Sequence, residues 1–288
     1  MSLIVSVYTS EGIVMASDSR TSFNSVQQIL GQNVRLPSGH YFDTVDKTFV
    51  TINNCGISTC GDGDINRKPI SGLIRKFAKS MVLVTDTVHD TASKLLAYVR
   101  QLNPNTNIIF HVFGFDVDSS GDKIINGYRV TTGNGSIVQF TNPGSAGAAW
   151  DGETAVLTRL IKNVYISSNI RDIPNNSTLF LPPANTATLQ PATNPATLQP
   201  LPNPNAPQTF ILPPSILIAK AGLTNYPNQK IAWELMSIQD AIDFAEFAIK
   251  TTIDTMKFTT TSKTVGGPID ILVITPDRTK WIKKKKSY

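Results

Sequence analysis

Cysteine and histidine are scarce in this sequence of 288 residues, which contains two cysteines and three histidines. Cys55 and Cys60 are too few for the disulfide framework of a small secreted domain, and both lie in a small apolar stretch. We therefore expect them to pack as small hydrophobic side chains. His40, His89 and His111 are far apart in the sequence and form no metal-ligand pattern. The sequence implies neither a metal nor an organic cofactor.

Long apolar runs are also missing, because no segment approaches the roughly 20 residues that a membrane-spanning helix needs. The first residues, MSLIVSVYTSEG, are apolar but have no basic segment or cleavage-site pattern. They therefore predict a first strand rather than a signal peptide. We expect a cytoplasmic protein without a membrane partner.

The net charge of +5 is concentrated at one place, since residues 280–286 (KWIKKKK) contribute five positive charges. A lysine run of this kind is typical of a solvated tail, so we interpret 281–288 as a basic tail. The rest of the chain is nearly neutral and lacks the basic surface interleaved with aromatics that nucleic-acid binding requires. We expect no nucleic-acid partner.

The spacing of apolar residues alternates along the chain between the period of strands and that of helices. In chain order it predicts a strand hairpin (3–8 and 12–17), a long loop with some strand (21–43), a second strand pair (48–53 and 55–60), two helices (64–81 and 87–102), three strands (107–115, 123–131 and 136–140), a third helix (147–165), a helix capped by Ser237, and a buried strand (269–274). Adjacent strand pairs favour antiparallel sheets with helices packed outside them, which is an α+β layered domain.

Residues 171–215 differ in composition from the rest of the chain. They are rich in Pro, Asn and Thr and contain the near-repeat ATLQP at 187–191 and 196–200. Such a segment has too little hydrophobic content to bury itself. We expect an insertion at about 171–215 within a single domain spanning 1–280.

Four short segments carry a resemblance to a known family: residues 2–8 (SLIVSVY), 12–20 (GIVMASDSR), 46–49 (DKTF) and 60–64 (CGDGD). In order and spacing they resemble the proteasome β-subunit family, which includes the peptidase of bacterial ATP-dependent two-component proteases. The resemblance implies the four-layer αββα sandwich of N-terminal-nucleophile (Ntn) hydrolases, with two antiparallel sheets flanked by helices. It also implies a homo-oligomeric ring that acts on peptide or protein substrates, and it leaves an ATP-dependent unfoldase partner open.

The chemistry of such a site follows from its residue types. A serine hydroxyl needs a base, and a chain that begins at Ser2 carries one in its own α-amine, whose pKa is ordinarily about 7.7–8.0. A nearby cation, Lys47, would keep that amine neutral, and Asp18 would hold Lys47 in place. The backbone N–H of Gly61 could stabilise the oxyanion. By resemblance, Ser145 would hydrogen-bond the terminal amine.

The resemblance also assigns a substrate pocket, which Thr59 and Gly63 on either side of Gly61 would shape. Each residue has a structural alternative: Lys47 could be a solvated lysine at the start of a strand, and the two glycines could serve a tight turn.

The family usually places an aspartate shortly before its late glycines, but residues 262–265 here are Ser-Lys-Thr-Val. Ser262 or a neighbouring threonine is the candidate replacement.

Three functions therefore remain open from the sequence. The favoured one is a proteasome-type peptidase subunit, an Ntn hydrolase that uses Ser2 once Met1 has been removed. The second is an Ntn amidase acting on a small-molecule amide, because fold does not fix substrate. The third is a catalytically inactive ring or scaffold subunit, which a retained Met1 would favour.

Overall fold

The computed structural model describes residues 2–29, 32–161, 231–259 and 262–285; of residues 23–29, 32–40 and 159 it describes the backbone alone. The insertion expected at 171–215 and the end of the helix expected at 147–165 lie outside the described residues.

Fourteen strands and four α-helices make up the described part of the chain. The strands are β1 (Leu3–Thr9), β2 (Gly12–Ser17), β3 (Thr21–Ile29), β4 (Gln32–Phe42), β5 (Thr48–Val50), β6 (Gly56–Gly61), β7 (Asp64–Ile65), β8 (Lys68–Pro69), β9 (Ile108–Val117), β10 (Lys123–Thr131), β11 (Ser136–Gln139), β12 (Gly147–Gly152), β13 (Asp270–Ile274) and β14 (Thr279–Lys283). The helices are α1 (Ile70–Ser80), α2 (Val88–Leu102), α3 (Ala155–Ile161) and α4 (Ile238–Lys257).

Two five-stranded antiparallel sheets form the centre of the fold. Sheet one has the strand order β12-β1-β2-β13-β14, and sheet two has the order β11-β10-β9-β6-β5. The predicted hairpin of β1 and β2 is confirmed, with Ile4 opposite Ser17 and Thr9 opposite Gly12. The predicted pair of β5 and β6 is also confirmed, although its first strand is shorter than expected.

Three clusters of buried apolar side chains hold the elements together. One joins α4 to sheet one through residues such as Ala245 and Val5, and another joins α1 and α2 to sheet two through Phe77 and Leu95. The third contains side chains from both sheets (Tyr8, Ile13, Met15, Phe113, Leu272 and Ile274). Cys55 belongs to the cluster under α1 and α2, and both cysteines are free and buried as expected.

The helix starts that the sequence signalled most clearly are confirmed. Thr87 caps α2 and Ser237 caps α4, each in a reciprocal capping box with an aspartate three residues later. Such a box satisfies two backbone N–H groups that would otherwise have no partner at the helix start. Among the described helices, none is both long and apolar enough to cross a membrane.

The third predicted helix begins later than expected. Residues 147–152 form β12, which pairs over its whole length with β1 from Leu3 to Tyr8, and α3 begins only at Ala155. In this stretch Ala149 and Asp151 are buried while Ala148 and Trp150 are partly exposed, which is the two-residue period of a strand. The helical interpretation of 147–154 was wrong because the apolar residues there fit either period.

Two other segments contain more strand than the sequence indicated. Residues 21–43, expected to be a long loop with some strand, include the paired strands β3 and β4. Residues 64–69, expected to open the first helix, form the small β7–β8 hairpin. Asn66 and Arg67 both have positive φ in its turn, at 52° and 64°, which a helix cannot accommodate, so α1 starts at Ile70.

The basic tail is not solvated over its whole length. Thr279–Lys283 form β14, the edge strand next to β13, and the side chain of Lys285 is only 5% exposed. Two carboxylates explain its burial, because the Lys285 ammonium forms ion pairs with Asp46 and Asp270. The expectation of a solvated tail was therefore wrong for Lys285.

Candidate active site

Ser2 lies directly before β1 and is 7% exposed. Its carbonyl oxygen accepts a hydrogen bond from the N–H of Glu153 at 2.8 Å. The next N–H, that of Leu3, donates to Oδ1 of Asp18 at 3.0 Å. The hairpin explains this contact, because the pairing of Ile4 with Ser17 places Asp18 opposite Leu3.

Asp18 and Lys47 form a buried ion pair, with 2.8 Å between Lys47 Nζ and Asp18 Oδ1 and side-chain exposures of 4% and 0%. The Lys47 ammonium also donates to the carbonyl of Arg20. Burial lowers the pKa of Lys47 below its usual value, and the Asp18 carboxylate opposes that shift by favouring the charged form. The solvated-surface alternative for Lys47 is therefore wrong.

The Asp18 carboxylate has further donors besides Lys47 and Leu3. Its Oδ2 accepts hydrogen bonds from the N–H of Arg20 at 3.1 Å and of Gly266 at 3.0 Å. Four donors on two carboxylate oxygens suit an ionised group, which can only accept. Asp18 thus ties the end of β2 to the start of β1, to Lys47 and to the late glycine segment.

A small pocket of about 30 Å³ opens beside these residues, which corresponds to room for about one water molecule. It is lined by Ser2, Thr21, Ser22, Val45, Lys47, Thr59, Cys60, Gly61, Asp62, Gly63 and Ile70. Five residues named from the sequence (Ser2, Lys47, Thr59, Gly61 and Gly63) thus share one pocket, and Asp18 contacts its Lys47.

Strand β6 brings Thr59 and Gly61 to the pocket. The N–H of Thr59 donates to the carbonyl of Lys47 at 2.9 Å, and Thr59 Oγ1 is buried without a hydrogen-bond partner among the described residues. Gly61 has φ of +110°, and a Cβ there would lie 2.3 Å from the carbonyl oxygen of Asn107. Only glycine fits at position 61, which is a packing requirement as well as a candidate catalytic one.

Cys60 lines the same pocket, but it is a poor candidate for the nucleophile. Burial raises the pKa of its thiol to about 12. Because the thiolate is the reactive form, a thiol with such a pKa stays protonated near neutral pH.

Ser145 is not brought to the pocket. Its hydroxyl donates to the carbonyl of Asn142 at 2.7 Å, in the turn before β12. In the register of β1 with β12, Gly147 pairs with Tyr8 while Gly152 pairs with Leu3. At about 3.3 Å per residue, the five steps from Leu3 to Tyr8 span roughly 17 Å. The expected contact of Ser145 with the amine of Ser2 is therefore absent, because 147–152 is a strand whose opposite end reaches Ser2.

Gly152, the last residue of β12, and Glu153, directly after it, reach Ser2, and neither was among the residues that the sequence indicated. The Glu153 N–H bonds the Ser2 carbonyl, and a Cβ at Gly152 would lie 1.8 Å from that carbonyl oxygen. Gly152 also has φ of +100°, a conformation that other residues rarely adopt. The signal that could have found them is the strand period of 147–151 followed by glycine.

Gly152→Ala is expected to destabilise the fold by about 1–3 kcal/mol, because the new Cβ meets the Ser2 carbonyl and the backbone is strained. Thermal unfolding of the variant measures this effect. Gly72→Ala is the matched control, since a Cβ at Gly72, in α1, has no neighbour within 4 Å. That variant should gain about 0.5–1 kcal/mol from helix propensity. Equal melting temperatures for the two variants would contradict the described contact.

In the late segment, Thr264 is buried and Ser262 is exposed. Thr264 Oγ1 has no hydrogen-bond partner among the described residues. Thr264 is therefore the buried hydroxyl of residues 262–265. No carboxylate of residues 262–265 replaces the missing aspartate, because that window contains none.

A second serine-containing network lies between the two sheets. Ser6 Oγ and His111 Nδ1 are 2.9 Å apart, and His111 Nε2 and Asp151 Oδ2 are also 2.9 Å apart. The order of contacts is that of a Ser-His-Asp triad, but Ser6 and His111 are 0% exposed, so no substrate reaches them. Burial lowers the pKa of His111, although Asp151 opposes the shift. This network joins β1 to β9 and β12.

Comparison with known proteins gives structural but no sequence relatives. No protein-family model matches the chain, and no curated protein matches it significantly. The Gly-1 mutant of Anbu from Hyphomicrobium sp. strain MC1 aligns with a TM-score of 0.51 at 12% identity, covering 98% of this chain and 87% of that chain. Anbu (ancestral beta-subunit) from Yersinia bercovieri aligns with a TM-score of 0.48 at 13% identity, with 98% and 87% coverage.

The eukaryotic HslV from Trypanosoma brucei aligns over 57% of this chain and 79% of its own, with a TM-score of 0.34 at 14% identity. Of the three structures, only the Hyphomicrobium protein is similar enough to support an argument, and at 12% identity it supports the fold alone. The chain has a mixed α/β fold with several antiparallel sheets, and this fold is similar to that of the Hyphomicrobium protein.

Proposed function

We propose that the chain is a proteasome-type peptidase that hydrolyses peptide bonds with Ser2 as the nucleophile after removal of Met1. The observation that carries the proposal is the buried Asp18–Lys47 pair beside Ser2, since Ser2 and Lys47 line one pocket and Asp18 bonds both Lys47 and the N–H of Leu3. A buried ion pair costs desolvation energy and is weak evidence for stability, so a pair at a pocket points to chemistry.

In this mechanism the α-amine of Ser2 removes the proton of the Ser2 hydroxyl as Oγ attacks the substrate carbonyl. The positive charge of Lys47 favours the neutral, basic form of the amine. The N–H of Gly61 donates to the developing oxyanion. The protonated amine then passes its proton to the leaving amine of the substrate, and water hydrolyses the remaining ester with the same amine as its base.

We also propose the four-layer αββα arrangement for this chain. The three clusters of buried apolar side chains support it. A helix packs against each of the two sheets, and the third cluster draws on both sheets. In that arrangement the strand ends that carry Ser2, Lys47 and Gly61 share one edge of the paired sheets.

The pocket bears on substrate choice. Its volume of about 30 Å³ suits a small side chain next to the scissile bond, and Thr59 Oγ1 offers a buried hydroxyl without a described partner. We propose short peptides with a small residue at this position as substrates. A small-molecule amide is the second candidate, because a pocket of this size also suits a compact acyl group.

Hydrolysis of fluorogenic peptide amides over a pH series tests this function. We expect kcat/KM to rise with pH through the pKa of the Ser2 amine, at or below about 7.7–8.0, because only the neutral amine is a base. At alkaline pH we expect kcat/KM to decrease again as Lys47 loses its charge. The midpoint of this decrease should lie below pH 10.5, the ordinary pKa of lysine, because burial lowers the pKa of Lys47. Hydrolysis of simple amides but of no peptide would favour the small-molecule amidase.

Self-assembly is part of the same proposal, and exposed apolar side chains support it. Leu83 and Val84, adjacent to each other before α2, are 59% and 69% exposed, and Met81 two residues earlier is 41% exposed. Exposed apolar groups of this size are typical of protein contact surfaces when they cluster. Light scattering should report a mass several times 31.3 kDa. A monomer at micromolar concentration would contradict the ring.

A further inference from the structure

Lys285 occupies a buried position between two carboxylates. Its Nζ lies 3.0 Å from Asp46 Oδ1 and also forms an ion pair with Asp270, and the side chains of all three residues are at most 6% exposed. The same Nζ donates to Ser19 Oγ at 3.0 Å. A lysine in a basic tail does not lose its hydration in this way without specific partners, because burying an unpaired ammonium costs several kcal/mol.

The chain around Lys285 is held in register by the sheet. β14 pairs with β13 from Thr279 to Lys283, with an irregularity between Ile271 and Leu272. Beyond the strand, the N–H of Lys285 donates to Asp270 Oδ1 at 2.8 Å. Both the backbone and the side chain of Lys285 thus bind the same aspartate, which fixes the direction in which the ammonium points.

The contacts of Lys285 adjoin the Asp18–Lys47 pair on both sides. Ser19 follows Asp18 in the chain, and Asp46 precedes Lys47. The backbone joins the two sides as well, because Ser19 donates its N–H to Gly266 O and accepts from the N–H of Val45, each at 3.0 Å. The ammonium therefore lies between the chain neighbours of both charged residues of the site.

We propose that Lys285 is a positioning residue of the Ser2 site, which clamps Ser19 and Asp46 and thereby fixes the distance and direction of the Asp18–Lys47 pair relative to Ser2. The inference rests on the proposed function for its catalytic consequence. Lys285, within the segment that the sequence indicated to be a solvated tail, is then part of the architecture of the site.

The surrounding charges allow the fold to survive loss of this clamp. Lys284 Nζ lies 3.4 Å from Asp46 Oδ1 and 3.7 Å from Asp270 Oδ2, and Arg75 forms an ion pair with Asp46. Both carboxylates therefore keep a cation when Lys285 is neutralised. Neither Lys284 nor Arg75 contacts Ser19 among the described contacts, so of these three cations only Lys285 links the side chains of Ser19 and Asp46.

Lys285→Met should lower kcat roughly ten- to hundredfold with KM changed less than about twofold, because misplacing catalytic groups by about 1 Å has effects of that size. Lys283→Met is the matched control: its ammonium pairs with Glu246 at the surface and is 48% exposed. Lys283→Met should keep the kcat of the wild type. Lys285→Arg, which retains a cation, should recover part of the loss.

A kcat for Lys285→Met equal to that of Lys283→Met would overturn the proposal. If Lys285→Met does not fold, Asp270→Asn/Lys285→Met removes one buried charge of each sign and should show the same loss. Ser2→Ala in the same assay tests the proposed function separately from the role of Lys285. If the wild type is no faster than Ser2→Ala, the proposed function is contradicted, whatever the effect of Lys285→Met.

If the wild type proves no faster than Ser2→Ala, a measurement that needs no turnover still tests the role of Lys285. Lys47 faces Asp18, Cys60 and Lys285, and its ammonium donates to the carbonyl of Arg20. Burial is the largest cause that lowers the pKa of Lys47, and the charge of Lys285 lowers it further, so Lys285→Met should raise it. NMR titration of labelled lysine side chains, with the Lys47 signal assigned from Lys47→Met, measures this shift. A Lys47 pKa that is the same in Lys285→Met and Lys283→Met would overturn the proposal.

Discussion

Ser2→Ala is expected to reduce peptide hydrolysis to the uncatalysed background while leaving the fold intact. The substitution removes only the hydroxyl, whereas the contacts that hold position 2 are made by its backbone, through Glu153 and the neighbouring Leu3. The free energy of unfolding should therefore change by no more than about 0.5 kcal/mol, as for a surface substitution. The melting temperature should accordingly stay close to that of the wild type. Fluorogenic peptide hydrolysis and thermal unfolding measure the two effects on the same sample.

Ser145→Ala is the matched control for Ser2→Ala. Both substitutions remove one serine hydroxyl, but Ser145 bonds Asn142 at the far end of β1. Ser145→Ala should keep the hydrolysis rate of the wild type. A large loss in Ser145→Ala together with full activity in Ser2→Ala would reverse the assignment.

Lys47→Met is expected to lower kcat/KM by on the order of 10²–10⁴, the usual contribution of a positioned base, since the cation sets the pKa of that base. Methionine is unbranched and one atom shorter than lysine, so the side chain keeps most of its length but loses its charge, and the Ser2 amine becomes protonated at neutral pH. Its residual activity should also lack the alkaline fall that we assign to Lys47. A pH series of kcat/KM measures both effects.

Thermal unfolding of Lys47→Met shows whether its loss of activity comes from the missing charge or from unfolding. Breaking a buried ion pair costs about 3–5 kcal/mol, although Asp18 would keep three backbone N–H donors. Lys94→Met is the matched control, because Lys94 pairs with Asp86 at 2.7 Å and is 37% exposed. That variant should lose at most about 1 kcal/mol and no activity. A folded Lys47→Met with wild-type kcat/KM would remove Lys47 from the mechanism.

Local sequence signals predicted the parts of the molecule in which one period or one cap dominates. The hairpin of β1 and β2, the cap of α4 at Ser237 and the strand at 270–274 follow from patterns within about twenty residues. Ser2, Lys47 and Gly61, which were named from the family resemblance, line one pocket in the structure. These residues lie at or beside strand ends, so a short sequence pattern that marks where a strand begins or ends also locates them.

The features that the sequence analysis missed depend on contacts between distant parts of the chain. Whether 147–152 is a strand depends on pairing with β1, more than 130 residues earlier in the chain, and Ser145 was misplaced with it. Lys285 has no local signal that distinguishes it from Lys284 or Lys283. Its burial depends on Asp46 and Asp270, which no local pattern brings together with it.

Intact-mass analysis of the protein after reaction with a peptide epoxyketone is the decisive test of Ser2 as an N-terminal nucleophile. This electrophile needs a hydroxyl and an adjacent free amine, which Ser2 provides only when Met1 is absent. The account predicts a mass that lacks Met1 and carries one inhibitor per chain, with the adduct mapped to Ser2 and absent from Ser2→Ala. A chain that retains Met1 and takes up no inhibitor, or an adduct at another residue, would contradict it.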